Sequence, residues 1–190
     1  MKKLSGIKVF MAVLLAFVGL SLISCENDDH VEPVKLEDVN GNYKGKIIIT
    51  QGGSKTEAAI GFAAKNNVIT FSEFPIKEIV KSVVKDPVKT AAAITALGKI
   101  KYDLDYTPVL NNENTVVELT FIPRALEIQI PVDGVNKKAV VTFSVKQKGF
   151  YIGQNRALKF DLSADKITVD GTVLNPFEII KYDFPYSVKN

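Results

Sequence analysis

Leu126-Glu127-Ile128-Gln129-Ile130-Pro131-Val132-Asp133-Gly134 is the stretch whose reading decides the fold. Apolar Leu126, Ile128, Ile130 and Val132 alternate with Glu127, Gln129 and Pro131. A period of two places successive side chains on opposite faces of a strand. Asp133-Gly134 then supplies residues that tolerate the positive φ of a tight hairpin turn. Beyond the turn the alternation resumes in Val141, Phe143 and Val145.

The same pattern spreads in both directions. Upstream, Val117, Leu119 and Phe121 face one way and Glu118 and Thr120 the other. Tyr43 to Gln51 carries Ile47, Ile48 and Ile49 and stops at Gly52-Gly53, while Thr56 to Ala64 and Val68 to Phe71 flank a hairpin candidate at Asn66-Asn67. Downstream, Leu158, Phe160 and Leu162 alternate, and Ile167 and Val169 end at Asp170-Gly171. A last strand falls within Phe177 to Val188, where Pro185 predicts an edge position. Short strands at this spacing predict a mainly β domain, an antiparallel β-barrel or β-sandwich.

One segment has a different period. Ile76, Ile79, Val80, Val83 and Val84 form a helical stripe opposite Lys77, Glu78, Lys81 and Lys85. Pro75 suits a first helical turn. A second helix should start at Asp86 as N-cap and stop at Gly98. Its alanine-rich face is apolar nearly all round and predicts close packing. The pair reads as a two-helix insertion near residues 75–97 that covers the β structure. A sharper alternative, with Lys77, Lys81, Lys85 and Lys89, is a helix lying in a membrane interface.

The N-terminus carries an address. Lys2, Lys3 and Lys8 precede an apolar run from Val9 to Leu20, then Leu22-Ile23-Ser24-Cys25. Spanning a bilayer takes about 20 apolar residues, more than this run holds. The four residues ending at Cys25 resemble the lipobox of bacterial lipoproteins, which implies cleavage between Ser24 and Cys25 and a diacylglycerol, often with a further acyl chain such as palmitate, on Cys25. Two or more chains make a permanent tether. Glu26-Asn27-Asp28-Asp29 resembles the acidic tag of surface-exported lipoproteins, which implies the outer membrane and its outer face. The predicted organisation is a signal peptide at 1–24, an acidic tether at 25–37 and one β-rich domain at 38–190.

Charge and composition then exclude several classes. The net charge of +3 comes from 24 basic and 21 acidic residues. Lys2, Lys3 and Lys8 leave with the signal, so no basic excess remains for nucleic acid. The single cysteine is committed to lipid, leaving no thiol for disulfide, redox or metal chemistry. His30 is the one histidine and stands in the tether, so it cannot be held beside a nucleophile. No cofactor or metal is expected.

Three sets of residues carry residual chemical interest. Asp103 and Asp105, two apart on a strand, share a face and could serve glycoside hydrolysis or calcium binding. The plainer reading is a solvent-facing strand with Tyr102, Leu104 and Tyr106 in the core. Asp161, Asp165 and Asp170 lack EF-hand spacing and read as turn and surface residues. Tyr182, Phe184 and Tyr186 would align along an extended strand, either as core or as a platform for a sugar or apolar ligand. Lys101-Tyr102-Asp103 recurs as Lys181-Tyr182-Asp183, too short a match for an internal repeat.

Gly41-Asn42-Tyr43-Lys44-Gly45 is similar to the opening of lipocalin-like barrels, with Tyr43 where those proteins place Trp. The whole layout resembles small outer-membrane lipoproteins with a β domain. That resemblance implies no particular activity; the residues themselves favour a lipid-anchored, non-enzymatic binding or scaffolding domain, with a small apolar or glycan-derived ligand if the barrel is hollow. The alternatives are an accessory subunit of an outer-membrane complex and a carboxylate-dependent hydrolase. An enclosed space would favour a ligand; a filled core would favour a docking module.

Overall fold

The computed structural model describes residues 32–190, so Ser24, Cys25, His30 and the export signal lie outside the described residues. The strands are β1 (Gly41–Gln51), β2 (Ser54–Lys65), β3 (Val68–Phe71), β4 (Tyr102–Leu110), β5 (Val116–Pro123), β6 (Leu126–Val132), β7 (Val135–Ser144), β8 (Gly149–Ile152), β9 (Ala157–Val169), β10 (Thr172–Val173) and β11 (Ile180–Lys189). Between β3 and β4 stand two helices, α1 (Lys77–Val84) and α2 (Pro87–Leu97). The ring β11-β1-β2-β3-β4-β5-β8-β9 closes through β9–β11, giving an eight-stranded antiparallel barrel.

The ring is an up-and-down meander once β6 and β7 are seen as continuations. β6 pairs with β7 from Val132↔Val135 to Leu126↔Val141. The same antiparallel register, offset by one residue, resumes as Leu119↔Gly149 and Val116↔Ile152 between β5 and β8. Thus β5–β6 and β7–β8 are the two arms of one long hairpin, splayed at Arg124-Ala125 and at Val145–Lys148. Residues Asn66 (φ 52°) and Asn67 (φ 62°), and Asp133 (φ 52°) with Gly134 (φ 79°), adopt the mirror-image turns that match strand twist.

The interior is aromatic. Phe160 and Phe184 stack at 4.3 Å, Tyr43 stacks on Phe62 at 5.3 Å, and Phe62 meets Phe71, Phe160 and Phe184 within 6.1 Å. An eight-stranded barrel has an interior that side chains can fill or that one small ligand can share, and here the rings pack against one another across it. Both ends are covered. At one, a 3-10 turn at Leu36–Val39 buries Val39, whose carbonyl accepts the Tyr43 hydroxyl at 2.6 Å. Burial pushes that hydroxyl's pKa well above the ordinary tyrosine value. At the other end Phe74 plugs the ring, 4.9 Å from Tyr102 and 5.1 Å from Tyr182, beneath the buried Ile79 and Val80 of α1. The matching tripeptides at 101–103 and 181–183 therefore place both their tyrosines against one phenylalanine.

Several expectations need correction. Packing starts inside the stretch read as tether: Val34 is buried and its N–H donates to the Asn114 carbonyl at 2.7 Å. Pro185 is not on an edge, because β11 pairs with β1 and β9. It is tolerated where both ladders slip, between Phe184 and Ser187 on one side and Lys46 and Ile48 on the other. Gly45 belongs to the same irregularity, since a Cβ there would stand 2.5 Å from Ser187 Oγ and from the Tyr186 carbonyl. Helix α2 is capped by Asp86 at the Lys89 N–H as expected, yet buries only Thr90 and Ala93, and Val88 is 80% exposed. It leans on β6 along one side, and Lys89 bridges to Asp133 at 2.7 Å. The stripe of α1 is spent on the barrel, which leaves no apolar face there for a membrane interface.

Phe74→Ala opens a cavity under α1 with rings on several sides. The expected cost is about 3–5 kcal/mol, read as the shift of the urea unfolding midpoint; a variant as stable as the parent would mean that α1 and Phe74 do not seal the barrel.

Candidate functional site

Because the interior is occupied, chemical capacity has to be sought on the outside. One breach in the strand ladder lies over the middle of β9, where the linker Val145–Lys148 separates β7 from β8. Strand β8 pairs with Ala157–Lys159 and β7 with Ser163 onward, leaving Phe160, Asp161 and Leu162 unpaired on that side. A groove of about 340 Å³ follows the breach, lined among others by Lys146, Lys148, Lys159, Lys181, Asp161 and Asp183.

Asp161 and Asp183 stand directly opposite each other on β9 and β11, both half-buried. Burial first, and the Asp183 charge second, hold the Asp161 carboxyl above its ordinary range, against the pull of the Lys146 backbone N–H and its ammonium. Lys148 is engaged elsewhere, at 2.6 Å from Glu118. The site is thus a carboxylate pair in a frame of lysines.

The residues singled out from sequence fall in different places. Asp103 and Asp105 share the outer face of β4, with Tyr102, Leu104 and Tyr106 buried behind them. Each carboxylate has its own partners. Asp103 accepts from Thr70 Oγ1 at 2.7 Å and Lys101 Nζ at 2.9 Å, while Asp105 accepts from Nε and Nη2 of Arg124, at 2.5 and 2.7 Å. Burial would raise the pKa of Asp103, but the hydrogen bonds from Lys101 and Thr70 outweigh it and hold the group below its usual value. Asp103 is thereby held as a carboxylate and Asp105 is engaged by Arg124, whereas glycoside hydrolysis needs one of the two acids to stay protonated.

Asp165 is the extra residue of a bulge, between Ala164 and Lys166 opposite Phe143 and Thr142. Asp170 closes a turn by accepting the Lys138 N–H at 2.9 Å. The aromatic line at 182–186 is broken: Tyr182 and Phe184 are buried, and the slip around Pro185 turns Tyr186 outward, 45% exposed. The Tyr182 hydroxyl has no hydrogen-bond partner among the described residues, and burial drives its pKa far above the ordinary value. Lys146 and Lys159 carried no signal in the sequence, and Lys181 and Asp183 only that of a short tripeptide match, since the four meet only through the pairing of β9 with distant strands.

Residues 38–169 match the family described as Domain of unknown function (DUF4840). The chain belongs to that family. The match covers β1 to β9 and stops short of β11, the strand that closes the ring. No curated protein and no solved structure matches the chain.

Burial favours protonated Asp161 in the folded state, so its contribution to stability is complete below the unfolded carboxylate pKa and is lost as pH rises through the raised folded value. Asp161→Asn removes that loss. The variant should exceed the parent near neutral pH by about 0.2–1 kcal/mol, the range for like charges opposed on paired strands. The gain should vanish in acid, below about pH 3. Thermal unfolding at both pH values checks it, and a destabilised neutral-pH variant would contradict the assignment.

Proposed function

We propose that this protein is a lipid-anchored outer-membrane lipoprotein whose domain is a non-enzymatic binding or scaffolding module acting through its outer surface. The observation that carries the reading is the filled interior: Tyr43, Phe71, Phe74, Tyr182 and Phe184 are each at most 2% exposed inside a barrel covered at both ends. A barrel that carries a small apolar or glycan-derived ligand needs an empty, partly apolar space. This favours an accessory subunit, docked to an outer-membrane complex, over a ligand carrier. The ion-paired state of Asp103 and Asp105 supports a structural role for them over hydrolysis.

Cys25 supplies the anchor, Ser24–Cys25 the cleavage point, and Glu26, Asp28 and Asp29 the acidic tag. In this arrangement the chain leaves its tether at Val34, beside the 3-10 turn, and the helices stand at the opposite end of the barrel.

Two measurements test the proposal. Growth of a Gram-negative host with a clickable palmitate analogue should label the wild-type chain and not Cys25→Ser; equal labelling of both would remove the anchor. Native mass spectrometry of the purified protein should show the lipidated polypeptide alone, whereas a stoichiometric additional mass would return the reading to a ligand carrier.

A further inference from the structure

The ring is thinnest between β2 and β3. Strand β2 pairs with β1 along its whole length, from Ser54↔Gln51 to Ala64↔Gly41. It pairs with β3 only at Ala63, Ala64 and Lys65, because β3 ends at Phe71 and the chain departs for the helices. Residues Ser54 to Ala59 are all exposed, and Ile60 is only half-buried. The two-residue turn Gly52-Gly53 makes Gln51↔Ser54 the closing hydrogen-bonded pair, so even-numbered residues of β2 exchange bonds with β1. The odd-numbered residues Lys55, Glu57, Ala59 and Gly61 then direct their N–H and C=O groups at the open side. The turn at Asn66-Asn67 gives the same phase, since it directs Lys65 and Ala63 at β3.

From this edge we infer a docking site for an extended segment of a partner polypeptide, added antiparallel or parallel to β2 as a further strand. Ala58, Ala59 and Gly61 offer no bulk to an incoming backbone. Charge defines the partner. Strands β1 and β2 carry Lys44, Lys46, Lys55 and Lys65 against a single acid, Glu57, which is already shared by Lys46 at 2.7 Å and Lys55 at 3.3 Å. Lys81 of α1 and Lys85 at its C-cap, with one acid, Glu178, line the groove that reaches Ser54. The segment is therefore acidic, with small or apolar residues at alternate positions. The positive excess also discourages a second copy of this edge, because lysines protect natural edges from self-pairing.

The inference rests on reading the domain as a binding module and specifies its surface and partner class. Its test is separate from that of the anchor. Hydrogen exchange of the full chain in detergent is followed with and without a capped peptide of alternating valine and glutamate, matched in length to Lys55–Gly61. The amides of Lys55, Glu57, Ala59 and Gly61 should slow at least tenfold, and those of Ser54, Thr56 and Ala58, already bonded to β1, should change little. The valine–lysine counterpart should leave all of them unchanged.

Ala59→Pro removes an N–H that the fold does not use, so the variant should unfold at the parent's temperature and lose the protection. Absence of protection by the acidic peptide would overturn the inference. So would equal protection by the basic peptide, or retained protection in folded Ala59→Pro. Slow exchange that depends on protein concentration without peptide would assign the edge to a second copy and overturn it equally.

Discussion

Ring closure between β9 and β11 fixes the width of the barrel, and the rest of the structure follows from how that width is filled. Eight tilted strands enclose a space in which inward side chains meet each other. Here the meeting groups are rings: Phe160 on Phe184, Tyr43 on Phe62, and Phe74 between Tyr102 and Tyr182. Aromatic side chains bury large apolar areas and pack with defined geometry. A cylinder filled in this way still exposes apolar surface at its mouths. The 3-10 turn closes one mouth through the Tyr43–Val39 hydrogen bond, and α1 closes the other over Phe74. The two-helix insertion is thus the lid that a filled barrel requires.

A filled interior moves chemical capacity to the irregularities of the outer surface. Two of them come from strands too short to complete a ladder. Between β7 and β8 the linker breaks the pairing with β9, and Asp161 lies in the gap opposite Asp183. Between β2 and β3 the pairing stops after three residues, leaving backbone groups free along β2. On β4, the two acids considered for chemistry are each held by a cationic neighbour, Asp103 by Lys101 and Asp105 by Arg124. Surface pairs of that kind add little stability, but they fix the side chains they join.

Most of the fold was legible from local pattern. Alternation located β5, β6, β7 and β9, and the Asn66-Asn67 and Asp133-Gly134 turns formed where residues tolerant of positive φ stood together. The stop of α2 at Gly98 and its cap at Asp86 were equally local. Barrel and sandwich share these patterns, so the choice between them was not legible; it depends on the pairing of Ile180–Val188 with β9 and β1, far apart in the chain. Pro185 misled because a proline in a doubly paired strand requires slips in both ladders, a tertiary arrangement. The same slip turned Tyr186 out of line with Tyr182 and Phe184. For α2, apolar composition suggested burial on all sides, yet alanine faces carry little drive to be covered. Of the exterior site, only Asp161 was weighed for chemistry, since the lysines around it gather from three separate stretches.

The claim on which this account turns is that the barrel is sealed and full. Diffraction from crystals of the protein under xenon pressure tests it most directly, because xenon enters apolar voids of ligand size. The account predicts no xenon site among Phe62, Phe71, Phe160 and Phe184. An ordered xenon atom within that ring would contradict it, and would make this barrel a container.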